Sequence, residues 1–569
     1  MIHHLKIPVL AIVLIGWALQ LSAQKYIPFP YALEKESVGD SAMVVSAHPL
    51  ATKVGVEVLQ AGGNAVDAAV AVQFALAVVY PQAGNIGGGG FAIYRTKDEK
   101  VAALDFREKA PAAAFEKMYL DSLGEVIPDR SRLGVLAAGV PGTVDGMWEL
   151  HKKYGKLPWS TLLAPAIELA DKGFQMTQKE ADALNAERSN FLHNSPLIPA
   201  FVSQQPWEFR DWLIQKDLAS TLRTIAEKGR DGFYIGGIPA LVVHTMEKKK
   251  GLITEQDMAN YHSVWRVPLE FDYKKLHIIT MPPPSSGGII LQQLFGMVGQ
   301  YNLKSMGFHS AAAVHLMVEA ERRSYADRAE HMGDPDFWKV PVTQITTPAY
   351  LKERMKDFNK TMATPSKEIA AGRVKESEET THYCIVDPQG NAISVTTTLN
   401  DSYGSRSVVS GAGFILNNEM DDFSVKPGAP NLYGAVGGKA NAIAGNKRPL
   451  SSMTPTIITK KNKVWMVVGT PGGTTIPTSV FQTIVNVAEF GLPLPEALQA
   501  GRFHHQWLPD QIFVEPNGLP EEVVNTLKSM GHTVHPRDPI GRVEAIIRLP
   551  DGNWQGAADH RGNDASKGF

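Results

Sequence analysis

The sequence predicts an α+β fold in which helices are layered against sheet, and three observations predict it. The run 65–80 is rich in Ala and Val on every face, and a helix that is apolar all round belongs between layers rather than on a surface. The stretch from about residue 142 to 263 is mostly helical in pattern, including 148–154 and 159–172. Two β-type segments, 381–386 and 392–399, flank the turn Asp387-Pro388-Gln389-Gly390-Asn391, which has Pro and Gly where a turn wants them.

The remaining elements follow in order. Residues 47–61 read as a helix that stops at Gly62-Gly63. Asn64 then caps the second helix, with Asp67 at its third position favouring the positive end. Residues 101–106 read as a strand, and 310–328 as a helix with several charges on one face. Residues 361–379 are poor in large apolar groups and end in a charge-rich tract, the composition of a mobile, solvated linker. Near the end, 463–470 reads as a strand, followed by Pro471-Gly472-Gly473 and a helix over about 475–490.

Composition removes several function classes. The 569 residues carry 56 basic and 58 acidic side chains, a net charge of −2, which argues against a polyanion partner such as nucleic acid. The single cysteine, Cys384, excludes an intramolecular disulfide and any cysteine-built metal centre, and reads as a small buried hydrophobe. Residues 1–23 read as a cleavable export signal: His3, His4 and Lys6 precede an apolar run that ends at Leu21-Ser22-Ala23. The expected location is periplasmic or secreted, with no membrane attachment after the signal is removed. The alternative is an uncleaved anchor, although the run is short against the roughly 20 residues of a bilayer span.

The chemistry centres on two threonines. A hairpin centred on Gln389 places Thr380 opposite Thr398, and a slip of one residue would turn Thr398 to the other face. Facing threonines are common in ordinary strands. Thr380, however, sits where the linker meets the strand, and a cut between Glu379 and Thr380 would create an N-terminal threonine. Such a residue carries its own base, an α-amine of pKa about 7.7–8.0 beside the hydroxyl. A hydroxyl nucleophile also needs oxyanion donors. Gly472-Gly473, between strand and helix, either expose backbone N–H groups for that purpose or form a tight turn.

Other motifs read as structural. Gly87 to Gly90 lack the following Gly-Lys-Ser/Thr of a phosphate loop. Ser285-Ser286-Gly287-Gly288 reads as a turn rather than a nucleophile elbow. Asn418 to Asp422 fit no EF-hand loop and read as a solvated acidic turn, and His504-His505 lack a third ligand, so no metal is expected. No cofactor is expected either.

Together, Thr380-Thr381-His382-Tyr383, Thr398-Leu399-Asn400, Asn418-Glu419-Met420-Asp421-Asp422, Arg448-Pro449-Leu450-Ser451-Ser452-Met453 and Pro471-Gly472-Gly473 resemble the γ-glutamyltransferase family. Gly62 to Ala69, Gly84 to Gly90 and Asp105-Phe106-Arg107-Glu108 match the same family, so the resemblance runs from about residue 44 to 562.

The resemblance implies a four-layer αββα sandwich of the N-terminal-nucleophile hydrolase type, built from two chains of one cleaved precursor. The large chain would span 24–379 and the small catalytic chain 380–569, each the other's partner. Thr380 would carry a γ-glutamyl ester, Thr398 would hydrogen-bond it, and Gly472 and Gly473 would form the oxyanion hole. Arg107, Ser451 and Ser452 would hold the substrate α-carboxylate; Asn400, Glu419 and Asp422 would hold its α-ammonium. Tyr433, in a glycine-rich loop, would gate the pocket.

The implied activity is cleavage of glutathione and related γ-glutamyl compounds, with transfer to water, amino acids or dipeptides. Two rivals are an acylase of the same superfamily acting on cephalosporin or glutaryl side chains, and an inactive exported binding relative.

Overall fold

The computed structural model describes residues 31–369, 380–426 and 438–569. The expected leader, Glu379 and Tyr433 with its loop lie outside the described residues.

Two seven-stranded antiparallel sheets form the centre. One runs Ala565–Gly568, Met43–Ser46, Thr381–Val386, Ala392–Thr398, Gly89–Arg95, Val101–Asp105 and Val264–Arg266. The other runs Glu36–Gly39, Trp554–Ala558, Glu544–Arg548, Lys463–Gly469, Thr456–Lys460, Leu276–Thr280 and Leu269–Tyr273. Each therefore mixes strands from before and after residue 380, so a break ahead of Thr380 leaves its neighbouring strands in place.

Alternation of side chains along the strands sets the layers. Cys384 and Val386 share a buried cluster with Ile457, Val467 and Ile546 of the other sheet. Tyr383 and Ile385 point the opposite way, into a cluster with the helices Pro49–Gln60, Ala65–Val79, Thr143–Tyr154 and Trp159–Lys172. On the far side, Ile458, Met466 and Ile547 pack on Gly287–Val298, Ala311–His331 and Thr475–Ala488. The result is a helix–sheet–sheet–helix sandwich, as the resemblance implies.

Local expectations hold at several points. All fifteen residues of Ala65–Val79 are buried, and Asn64 and Asp67 close a capping box at its start. The hairpin pairs Thr381 with Thr397 and Val386 with Ala392, which is the register centred on Gln389.

Two readings are corrected. The linker does not begin at residue 361. Ser366 and Ile369 are buried, and Trp507 Nε1 donates to both their carbonyls, at 2.9 and 3.2 Å. The segment stays close because its backbone polar groups find partners on the core: the Ala363 N–H donates to Met530 O at 2.7 Å, and the Ser366 N–H to Asp510 at 2.7 Å. The acidic turn is likewise not solvated. Glu419 and Asp421 are both 1% exposed, because cationic and hydroxyl groups of distant segments meet them.

Candidate active site

Thr380 is 5% exposed and sits one residue before the strand Thr381–Val386, an interior strand of its sheet. Thr398 ends the adjacent strand, and its Oγ1 accepts the Asn400 N–H at 2.7 Å. The glycine run serves this strand end. A Cβ on Gly88 would lie 2.0 Å from Thr398 O, so only glycine lets the backbones approach. Asn85 then donates to Thr398 O at 2.9 Å and to Thr397 Oγ1 at 3.1 Å.

The histidine nearest Thr380 in sequence, His382, is engaged elsewhere. His382 is fully buried, with Nδ1 2.9 Å from Thr396 Oγ1 and Nε2 3.1 Å from Cys384 Sγ. Burial pushes its pKa down to about 3, so it is neutral at working pH. It packs where the second sheet has no side chain: a Cβ on Gly469 would lie 2.2 Å from its ring. That strand leads directly to Gly472 and Gly473, whose φ values are +138° and +55°. Thr475, at the start of the next helix, donates to Gly472 O through both its N–H (3.0 Å) and its hydroxyl (2.7 Å).

A charged cluster is assembled from both halves of the sequence. Arg107, 1% exposed, places one guanidinium nitrogen on Glu419 and another on Asp422, with Glu108 at 3.5 Å. Arg107 also donates to Pro449 O (3.4 Å) and Leu450 O (3.3 Å), which brings the backbone just ahead of Ser451 and Ser452 against it. Asn400, held at φ +76°, donates to Asn418 O at 3.0 Å and so ties the Thr398 strand end to the turn bearing Glu419. The sequence-predicted cationic and anionic groups thus form one ion-paired cluster rather than two separate patches.

The electrostatics are lopsided: three carboxylates face one guanidinium. Burial works against the Arg107 charge, but Glu419, Asp422 and Glu108 together hold its pKa above the ordinary arginine value. Burial pushes Glu108 up to about 7 and pushes Glu419 upward as well, while the Arg107 guanidinium pulls both back toward the charged form. Among the described residues, both Glu108 oxygens, Glu419 Oε2 and Asn418 Nδ2 are buried without a hydrogen-bond partner. Buried polar atoms are ordinarily satisfied, so these four depart from the usual pattern.

Sequence reasoning missed Glu108, which stands beside Arg107 in its motif but is given no role there. The histidine pair behaves as structural: His504 lies 2.9 Å from Thr478 Oγ1 and His505 Nδ1 accepts the Trp507 N–H, both with pKa pushed down by burial. Another buried cluster, His315, Glu319 and His532, has the composition of a metal site. Its groups are already engaged, the histidines with each other at 2.7 Å and Glu319 with Arg322 and Arg323.

Residues 51–569 match the model of the family described as Gamma-glutamyltranspeptidase. The glutathione hydrolase proenzyme of Escherichia coli K12 is 45% identical over 545 residues, 94% of each chain. The crystal structure of Helicobacter pylori γ-glutamyltranspeptidase superposes at a TM-score of 0.56 with 42% identity, over 60% of this chain and 97% of that one. A cephalosporin acylase from Bacillus halodurans superposes at 0.81 with 26% identity, over 95% of this chain and 98% of that one. Family model, full-length relatives and fold agree: this chain belongs to the γ-glutamyltranspeptidase family.

Proposed function

We propose that the chain is a self-cleaving γ-glutamyltransferase and glutathione hydrolase. Maturation begins with attack of Thr380 Oγ on the Glu379 carbonyl. The peptide C–N bond breaks as the ester C–O bond forms, the proton passing to the freed amine. Water then hydrolyses the ester, giving a large chain over 24–379 that ends in the Glu379 carboxylate, and a small chain over 380–569 that begins with a free threonine amine.

In the mature site that amine takes the Oγ proton while Oγ attacks the γ-carbonyl of the substrate. The N–H groups of Gly472 and Gly473 stabilise the oxyanion, and Thr398 supports the nucleophile from the adjacent strand. Collapse expels the amine of the leaving group, which takes the proton and, from glutathione, departs as the Cys-Gly dipeptide. Water, an amino acid or a dipeptide then attacks the γ-glutamyl ester. Arg107, Ser451 and Ser452 take the α-carboxylate, while Asn400, Glu419 and Asp422 take the α-ammonium. Tyr433 closes the pocket. The leader over 1–23 delivers the protein to the periplasm or beyond; no described helix is long and apolar enough to cross a membrane.

The observation that carries this reading is the excess of carboxylate over guanidinium around Arg107. A glutaryl group has the carboxylate of glutamate without the ammonium, so it would leave Glu419 and Asp422 uncompensated. Turnover of γ-glutamyl and glutaryl 4-nitroanilides tests the point. A γ-glutamyl preference of tenfold or more in kcat/KM is expected, and equal turnover or a glutaryl preference would favour the acylase alternative.

A further inference from the structure

Asp105 ends the strand Val101–Asp105 and is fully buried. Two residues on, the Arg107 N–H donates to its Oδ1 at 3.0 Å, the local bond by which an aspartate shapes the turn that follows it. The carbonyl of the same arginine is held as well: Tyr261, 1% exposed, donates its hydroxyl to Arg107 O at 2.7 Å. The Arg107 backbone is thus gripped on both of its polar groups, while its guanidinium reaches Pro449 O and Leu450 O.

The Asp105 carboxylate also meets two other guanidiniums. Arg266, on the neighbouring strand, donates to Oδ2 through Nε at 3.1 Å and Nη2 at 3.0 Å. Arg448 Nε forms an ion pair with Oδ1 at 3.4 Å. Asp336 balances the second positive charge, accepting from both Nη groups of Arg266 at 2.7 Å. Arg448 is fixed further by its N–H to Asp334 and its Nη2 to His262 O, both at 2.8 Å.

Arg448 opens the segment Arg448-Pro449-Leu450-Ser451-Ser452, so these contacts close a ring. It runs from Asp105 to Arg448, along the segment to Leu450, across to the Arg107 guanidinium, and back through the Arg107 backbone to Asp105. Breaking a buried pair leaves an uncompensated charge, so the ring resists rearrangement.

We propose that Asp105 is a positioning residue for substrate recognition: with Tyr261 it clamps the Arg107 backbone, and through Arg448 it ties that arginine to the serine segment, so that both act as one carboxylate-binding unit. This rests on the assignment of Arg107, Ser451 and Ser452 to the α-carboxylate.

The test compares kcat/KM for γ-glutamyl 4-nitroanilide with that for 4-aminobutyryl 4-nitroanilide, which keeps the ammonium and lacks the α-carboxylate, in mature enzyme. Asp105→Asn keeps an oxygen for the Arg107 N–H but removes the charge that holds Arg448 and Arg266. The glutamyl-to-aminobutyryl ratio should fall tenfold or more, through a raised KM on the glutamyl substrate with kcat within threefold. An aspartate that only stabilises the fold would lower both substrates alike, or leave both unchanged while the unfolding midpoint drops; either result overturns the proposal. Should Asp105→Asn fail to mature, Tyr261→Phe removes a single hydroxyl from the clamp. It should lower the ratio threefold or more, and an unchanged ratio overturns the proposal. Ser451→Ala combined with Ser452→Ala separates the two levels. A fall in its ratio with none in the Asp105 or Tyr261 variants refutes the role of Asp105 alone, whereas no fall in any of them refutes the carboxylate assignment itself.

Discussion

Arg107 and Glu419 form a buried ion pair between residues 312 apart in sequence, one on each side of the Glu379–Thr380 bond. Both side chains are 1% exposed. The pair partly neutralises the buried cluster, and in the function proposed above a zwitterionic substrate end would replace it group for group: carboxylate on Arg107, ammonium on Glu419 and Asp422.

Breaking one side of this pair should cost more than removing both. Arg107→Met leaves Glu419 and Asp422 facing each other in a buried site, a loss of about 3–5 kcal/mol. Arg107→Met combined with Glu419→Gln should recover part of that loss. Thermal unfolding midpoints of the two proteins check the order, and additive losses would contradict it.

Glu108 should make stability fall as pH rises. Its folded pKa of about 7 lies above that of an unfolded glutamate, so the folded state binds the proton more tightly. This contribution is fully present below about pH 4.5 and is lost as pH rises through 7, amounting to about 3 kcal/mol at most. Glu108→Gln keeps the uncharged shape and should flatten the fall in unfolding midpoint between pH 5 and 8. A parallel fall in both proteins would contradict the assignment.

Gly472→Ala should reduce kcat by about 10²–10³ if its N–H serves the oxyanion. The position has φ +138°, and a Cβ would lie 2.5 Å from Thr475 Oγ1, so the backbone must also shift. Steady-state kinetics with a γ-glutamyl 4-nitroanilide read the effect. A KM change with kcat intact would place the glycine outside the reacting centre.

The base should titrate as an amine. The rate should rise with pH through a single ionisation at about 7.7–8.0, the range of an α-amine. His382→Gln should leave the position of that limb unchanged, because burial holds the imidazole neutral down to about pH 3. Loss of the limb in this variant would make the histidine the base.

Much of this was legible in the chain before any coordinates. The all-apolar helix at Ala65–Val79 and the capping box at Asn64 follow from local rules, and the hairpin register follows from one turn centred on Gln389. What sequence could not supply is which charges meet at long range. The acidic turn at Glu419 looks solvated until Arg107 arrives from 312 residues away. The helix bearing Arg328 reads in sequence only as one with several charges on one face, and Ser286 and Ser452 meet Arg328 from distant segments. The first residues of the linker read as mobile because they lack apolar bulk, yet Trp507 and Asp510 hold them by their backbone groups.

The central claim is that the polypeptide breaks ahead of Thr380 and that the new amine makes the enzyme. Intact-mass spectrometry of the purified, active protein, with sequencing of the new amino terminus, tests both at once. The account predicts two chains, the smaller starting at Thr380 and containing 190 residues (380–569), while Thr380→Ala stays whole and inactive. Full activity in one unbroken chain, or a new terminus at any other residue, would contradict it.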